Sequence, residues 1–254
     1  MPQKWMIRFS VLGDLRFLSH HDCLRAIERL CERCKMPLRY SQGYNPHPIF
    51  SICLPKPVGI STRCDAVTVS LEEPVSAHHL LDKMNSHAPV GLKFTFAETF
   101  KGKAPRPIRA SYEIQVDPTQ VAPRLEATMS ADKWVIERKI SIDHGRSFGN
   151  RSIDLRPLVD EVRLEGQMLM FRLVRRGDSW ARPGELLALL GLDDRLDLAR
   201  LVRTEIEFES GNKTQTSQQK SGSSETVPVV SQNNGLSSPP EQGLQAGQPT
   251  REDN

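Results

Sequence analysis

The chain has 254 residues, of which 38% are hydrophobic, and it carries a formal net charge of +3 with five cysteines. Its longest apolar run, residues 186–190, is far shorter than the ~20 residues of a membrane-spanning helix, and neither a signal peptide nor a secreted cysteine framework is recognisable, so we expect a cytoplasmic protein. Residues 1–110 contain sixteen Lys and Arg against nine Asp and Glu, a positive bias that permits a nucleic-acid partner.

The first half of the chain predicts a β-α-β-β-α-β order. Trp5, Ile7, Phe9 and Val11 alternate with polar residues, as in a half-buried strand. A capping box at Ser19 then begins a helix that must end before a proline at position 37. The elements predicted after it are strands at 49–54 and 66–71, a helix at 76–86 and a strand at 92–96.

The second half repeats this order without convincing sequence identity. A hairpin is predicted around Glu165-Gly166, and a short helix opens at Pro183 and closes at Gly191. The remaining predictions are strands at 112–116, 134–136 and 202–208 and a helix interrupted by Pro123. We therefore predict an α+β protein of two tandem ferredoxin-like (β-α-β-β-α-β) domains, 1–104 and 105–209. Residues 210–254 are rich in polar and small side chains, which predicts a disordered C-terminal tail.

One loop of the first half concentrates functional side chains between Arg39 and Pro48. Two prolines stiffen this loop, and Gly43 permits a positive φ. Tyrosine rings stack on unpaired bases and amide groups hydrogen-bond to base edges, so the loop predicts an RNA-recognition element. The alternative is a rigid connector whose polar groups cap neighbouring backbone. The side chains predicted to contact RNA or another ligand are Tyr40, Ser41, Gln42, Gly43, Tyr44, Asn45 and His47.

The segment before the first helix is a second candidate site. A helix N-terminus attracts phosphate, and a histidine there, His20 or His21, can transfer a proton near neutral pH. The alternative is a simple helix cap with one histidine packed against the preceding strand. Asp14, Arg16 and Arg25 complete this candidate ligand site.

Basic side chains elsewhere are expected to contribute less. Arginines at 25, 29 and 33 share one helix face, which is usually a solvated surface. Asp154 and Arg156 share a strand face, where an ion pair is favoured, and Arg156 is also counted among the predicted RNA or ligand contacts. Four residues between the two halves are predicted to attract RNA electrostatically: Lys101, Lys103, Arg106 and Arg109.

No cofactor or metal site is predicted. Cys31 and Cys34 have CxxC spacing, but no second pair completes a zinc site, so they are interpreted as small core residues. The chain also lacks the glycine-rich motifs GxxxxGK[ST] and GxGxxG that cradle nucleotide phosphates.

The runs IRFSVLGDLRFLSHHDCLRAIERL and MPLRYSQGYNPHPIFSICLPKPVGI resemble the bacterial radical-SAM-associated family of unknown function. RSIDLRPLV, RPGELLALLGL and RTEIEF fit the same pattern, so the resemblance covers roughly residues 4–208. Members of that family occur alone or fused to a cobalamin-binding radical SAM protein. The positions that match its pattern are Gly13, Asp14, Arg16, Ser19, His20, Asp22, Arg25, Ser41 to Pro48, Asp154, Arg156 and Pro157.

The resemblance implies RNA modification or processing, and it favours His20 over His21 as the functional histidine. The CxxxCxxC motif of a radical SAM cluster is absent, so a separate cobalamin-binding radical SAM protein would supply that chemistry. We therefore expect an RNA-binding accessory module that presents a structured tRNA or rRNA to such a partner. In this hypothesis, residues 13–25 and 40–48 line one site together. Two alternatives stay open: a metal-independent endoribonuclease that uses His20, and a protein–protein adaptor with no nucleic-acid role.

Overall fold

The computed structural model describes residues 2–142, 147–192 and 194–209. The first half of the chain follows the predicted order of elements, and a short 3-10 helix at Gly13–Phe17 connects its first strand to its first helix. The elements are β1 (Gln3–Val11), α1 (His20–Arg33), β2 (Phe50–Ile52), β3 (Ser61–Leu71), α2 (Ala77–His87) and β4 (Leu92–Thr99).

The second half contains an additional hairpin. A single strand is predicted near residue 135, but two strands pair there as a separate small sheet, β6 with β7. The elements are β5 (Pro107–Gln115), α3 (Pro118–Ser130), β6 (Val135–Ile142), β7 (Ser147–Asp154), β8 (Val159–Glu165), β9 (Met168–Val174), α4 (Pro183–Leu189), α5 (Asp194–Leu198) and β10 (Val202–Phe208).

One eight-stranded sheet contains strands from both halves. Its order is β4-β1-β3-β10-β5-β9-β8, and β2 pairs with β3 beside this path. Every pair within each half is antiparallel, whereas β3 and β10 pair in parallel where the halves meet. The predicted α+β class is confirmed, and the sheet is continuous across the proposed 104/105 domain boundary.

Each half has its own apolar core on the sheet. In the first half, Phe9, Ile27 and Leu30 are fully buried between β1 and α1. In the second, Ile114, Leu186 and other apolar residues pack between the sheet and its helices. The alternating pattern that predicts β1 and the helical spacing that predicts α1 therefore arise from burial against each other.

A buried ion pair connects the two halves next to the β3–β10 pairing. The Arg203 guanidinium on β10 donates to the Asp65 carboxylate on β3, and both side chains are almost completely buried. Thr62 also donates to Asp65 at 2.9 Å, and Arg203 donates to the carbonyl of Leu54 at 3.0 Å. Burial lowers the pKa of Arg203, but the Asp65 charge and the neighbouring Tyr112 raise it by more, so the guanidinium stays charged.

Two local predictions differ from the structure. Pro123 was expected to interrupt its helix, but α3 is continuous through it, because a proline in the second turn removes only one backbone hydrogen bond. In β10 the pairing register shifts between Arg203 and Glu205. Val202, Thr204 and Ile206 alternate with charged residues in the sequence, but this irregularity places Arg203 and Ile206 among the buried residues.

Other predictions fall outside what the structure covers. The predicted disordered tail, residues 210–254, lies outside the described residues. Within the described part of the chain, every helix is too short or too polar to cross a membrane.

Candidate nucleic-acid interface

The predicted recognition loop is the end of a hairpin that is anchored on β3. Arg39 donates its backbone N–H to the carbonyl of Ser70 at 2.9 Å, and Ile49 donates to the carbonyl of Arg39 at 3.0 Å. Tyr40 pairs with Pro48 across the two arms. The two ends of the loop, residues 39–40 and 48–49, therefore continue the β2–β3 pairing toward the end of β3 and hold the loop at a fixed position.

Hydrogen bonds between Ser41 and His47 close the loop itself. The Ser41 hydroxyl lies 3.0 Å from Nδ1 of His47 and accepts from the His47 backbone N–H at 3.1 Å. The Ser41 backbone N–H donates to the His47 carbonyl at 2.8 Å. A loop closed by three contacts presents its remaining side chains with little conformational freedom to lose on binding.

The side chains of this loop point into solvent. Tyr44 is 100% exposed and Tyr40 is 42% exposed, whereas tyrosine side chains are more often partly or largely buried. Gln42, Asn45 and His47 are exposed as well. The loop thus offers two ring faces, two amides and an imidazole to a ligand. We call residues 39–49 the recognition hairpin.

The linker between β4 and β5 begins at the same end of the sheet. Phe100 donates its backbone N–H to the carbonyl of Lys4 at 3.0 Å, and the Lys4 ammonium donates to the carbonyl of Gly102 at 2.8 Å. Lys101 and Lys103 are exposed. Because β4, β1, β3 and the hairpin are successive neighbours, the start of this linker lies about 14 Å from the base of the recognition hairpin.

The segment before α1 lies at the opposite end of the sheet. The residue before it, Val11, pairs near Thr62 at the start of β3, whereas the recognition hairpin joins β3 at Ser70. Eight strand residues separate these points by about 26 Å. The structure therefore places the hairpin at the same end of the sheet as Lys101 and Lys103, whereas Asp14, Arg16 and His20 lie at the opposite end and Arg25 lies on the helix between them.

The segment before α1 is held in place by Lys56. Lys56 is 8% exposed, and its ammonium donates to the carbonyls of Arg16 at 2.6 Å and Leu18 at 3.4 Å. Burial lowers the pKa of Lys56, although the nearby Asp65 carboxylate raises it in part. Ser19 caps α1 as predicted, because its hydroxyl accepts from the Asp22 backbone N–H at 3.2 Å.

His20 is the first residue of α1. Its Nδ1 is buried and has no hydrogen-bond partner among the described residues. Burial lowers the pKa of the imidazole, and the neighbouring His21, 5.4 Å away between ring centroids, lowers it further. The neutral imidazole is therefore the dominant form near pH 7, which suits a proton acceptor rather than a cation.

The other predicted contact residues have protein partners. Arg25 lies 3.9 Å from Asp22. Arg109 lies between two carboxylates, 3.0 Å from Glu207 and 3.3 Å from Asp160, so its charge is offset locally. Arg106 lies 3.5 Å from Asp178.

Arg156 stabilises backbone rather than pairing with its acidic neighbour. Its guanidinium donates to the carbonyl of Ala131. Asp154 instead accepts from the backbone N–H groups of Trp134 at 2.8 Å and Arg156 at 3.0 Å. The segment therefore has the structural role that sequence favoured, through backbone hydrogen bonds in place of the expected ion pair.

Cys31 and Cys34 are buried in the first core, in agreement with their interpretation as small core residues. Burial raises the pKa of the Cys31 thiol to about 12 and that of Cys34 above its usual value.

Sequence reasoning missed Arg175 and Asp178, which lie beside Arg106 around one surface cleft. A Gly-Asp turn after an apolar strand is the signal that predicts their tight reversal.

Comparison with known proteins assigns the chain to a family without an assigned activity. No curated protein matches it. The solved structures that resemble it include the "Crystal Structure of an Unknown Protein from Galdieria sulphuraria", which is 8% identical with a TM-score of 0.25. That match covers 82% of this chain and 98% of the other. The sequence profile described as "Uncharacterized protein conserved in bacteria (DUF2344)" matches residues 4–183, and the chain belongs to this family.

Proposed function

We propose that this protein binds RNA through the recognition hairpin and acts as an accessory module in RNA modification or processing. The observation that carries the proposal is the fully exposed ring of Tyr44 on a loop closed by hydrogen bonds. An isolated exposed tyrosine gains no core packing, but it provides a face on which an unpaired base can stack.

The chemistry around Tyr44 is suited to an unpaired stretch of a structured RNA, such as the loop of a tRNA or rRNA. Tyr40 provides a second ring, while the amides of Gln42 and Asn45 can pair with base edges. Lys101 and Lys103 provide positive charge for the phosphates. Stacking, base-edge contacts and phosphate attraction are thus available at one end of the molecule.

The proposal keeps the interpretation of the chain as two tandem ferredoxin-like units, 1–104 and 105–209. The antiparallel order β4-β1-β3-β2 in the first half and β10-β5-β9-β8 in the second supports it. In this interpretation the β6–β7 hairpin is an insertion between the first helix and the second strand of the second unit.

A separate cobalamin-binding radical SAM protein is the partner in this proposal, and the cytoplasm is its location. The family resemblance alone supports this partner. We expect the two proteins to co-purify when RNA is present and to separate when RNA is digested. Co-purification that survives ribonuclease treatment and requires no RNA would favour the protein–protein adaptor.

The test of RNA binding is the double substitution Tyr44→Ala/His47→Ala. Loss of one stacked base costs roughly 1–3 kcal/mol, so affinity for a labelled RNA should fall by about tenfold or more. Phe148→Ala is the matched control, because Phe148 is a 63% exposed aromatic residue on β7, outside both the recognition hairpin and the segment before α1. Circular dichroism checks the fold of each variant. Equal affinity of the double variant and the wild type would refute the role of the hairpin.

A metal-independent endoribonuclease is the second candidate, and one observation favours it. His20 combines a buried, unpartnered Nδ1 with a lowered pKa at the start of a helix, as suits a general base. This function predicts RNA cleavage that persists in EDTA and disappears in His20→Ala. Cleavage that EDTA abolishes would contradict it.

A further inference from the structure

We propose that Arg106 and Arg175 form a phosphate-binding site that the carboxylate of Asp178 occupies in the free protein. The site lies in the second half, where β5 begins and β9 ends. Its surface cleft has a volume of about 320 Å³ and contains both guanidinium groups. This inference rests on the proposed function only for the source of the phosphate, which we assign to an RNA strand.

Both arginines approach a single carboxylate oxygen. Oδ1 of Asp178 lies 3.5 Å from Nη2 of Arg106 and 3.1 Å from Nη2 of Arg175. Two guanidinium groups that reach one anionic oxygen can also both donate charge-assisted hydrogen bonds to a phosphate.

Arg175 is already fixed for binding. Its side chain is only 21% exposed, and its Nε donates to the carbonyl of Gly177 at 2.8 Å. Its backbone N–H donates to the carbonyl of Ile108 at 2.9 Å, which ties it to β5. The Arg106 carbonyl accepts from the Glu209 backbone N–H at 2.9 Å. The backbone at both arginines is therefore anchored, and little order must be gained when an anion binds.

Asp178, by contrast, is held weakly. It lies in a two-residue turn between Arg176 and Ser179, where Gly177 has a φ of +59°. Its side chain is 95% exposed, and the two arginines are its only ion-pair partners in the described part of the chain. Surface ion pairs of this kind contribute little to stability, so an incoming phosphate can displace the carboxylate at small cost.

The walls of the cleft define the ligand class. Ile108, Gly177 and the acidic residue Glu209 complete the lining of the cleft. While Asp178 lines the cleft, the positive charges of Arg106 and Arg175 are balanced by the negative charges of Asp178 and Glu209. Rotation of the exposed Asp178 side chain outward leaves the guanidinium pair for one phosphate, either within an RNA strand or at its end.

The experiment measures the binding of inorganic phosphate and of RNA to the full-length protein. The RNA probes are two oligonucleotides of one unpaired sequence, with a 5′-phosphate and with a 5′-hydroxyl. Asp178→Asn should tighten phosphate binding by about tenfold, and Arg175→Ala should weaken it by a similar factor. Arg106→Ala is the second loss variant, because Arg106 is more exposed and less coupled to the fold.

Arg163→Ala is the control, since Arg163 is an exposed arginine between Glu161 and Glu165 that lies outside the cleft. Phosphate affinity should be the same in this variant and in the wild type. A 5′-phosphate dependence that Arg175→Ala removes would assign a terminal phosphate. Equal loss with both oligonucleotides would assign a phosphodiester.

The site would be overturned if phosphate affinity stayed unchanged in the Asp178→Asn variant and also in the Arg106→Ala or the Arg175→Ala variant. If RNA still binds and depends on Tyr44 in those variants, the proposed function stands and the phosphate site alone fails. If phosphate binding responds as expected but no RNA binds, the site stands and the RNA function fails.

Discussion

Asp65 and Arg203 show most directly how a single residue pair stabilises this protein. Removal of one member of a buried ion pair leaves an uncompensated charge and costs about 3–5 kcal/mol. We predict that Asp65→Asn lowers the free energy of unfolding in urea by this amount. Arg109→Gln removes an exposed, paired arginine and should cost less than about 1 kcal/mol. Equal losses in the two variants would contradict the structural importance of the buried pair.

His20 predicts a dependence of stability on acid pH. Its pKa in the folded protein lies below the usual value of 6.5, so the unfolded chain binds a proton more readily. Stability that is fully present above about pH 6.5 is therefore partly lost as the pH falls toward the folded pKa. NMR titration should give a His20 midpoint below 6.5, and His20→Gln should reduce the pH dependence of unfolding. A midpoint at or above 6.5 would contradict the burial of its imidazole.

Residue-level prediction from sequence succeeded where the function of a side chain is local. The Ser19 cap and the buried faces of β1 and α1 follow from spacing over a few positions. The burial of Arg203 could not be predicted, because a register shift and a distant carboxylate on β3 determine it. The Asp154 carboxylate was expected to pair with the Arg156 side chain, but it accepts from backbone N–H groups 20 and 2 positions away.

Among the structural elements, the connection between α2 and β4 packs closely against the backbone that follows β1. Gly91 has a φ of +92°, and a Cβ atom added there would lie 2.5 Å from the carbonyl oxygen of Leu12. We predict that Gly91→Ala destabilises the protein by at least about 1 kcal/mol more than Gly102→Ala. Gly102 has a φ of +79°, but a Cβ atom added there would have no neighbour within 4 Å. The Gly102→Ala variant therefore measures the cost of the positive φ without the cost of a clash. Equal destabilisation in thermal unfolding would show that the contact with Leu12 is unimportant.

Helix α1 explains why two sequence segments that were expected to share one site lie apart. The helix has 14 residues and advances the chain by about 21 Å, from the Gly13–Phe17 turn toward the recognition hairpin. Sequence patterns identified both segments and the helix between them. The separation follows from the length of that helix, whereas the proximity of the hairpin to Lys101 depends on the strand order.

For the whole molecule, the continuous sheet predicts that both halves unfold together. Trp5 reports on the first core, and Trp134 and Trp180 report on the second. We expect Trp5→Phe and Trp134→Phe/Trp180→Phe variants, compared by fluorescence in urea after correction for their own stabilities, to show coincident single transitions. Two separate midpoints would indicate independent domains that meet at 104/105.

The central claim is that the hairpin end of this molecule binds RNA. The most direct measurement is a titration of the full-length protein into labelled, partly unpaired RNA in EDTA, at about 50 mM and about 200 mM salt. We expect a shift on native gels that weakens with salt, with RNA that stays intact on denaturing gels. No shift at either salt concentration would contradict the claim, and a shift with new fragments would replace it with the His20 ribonuclease.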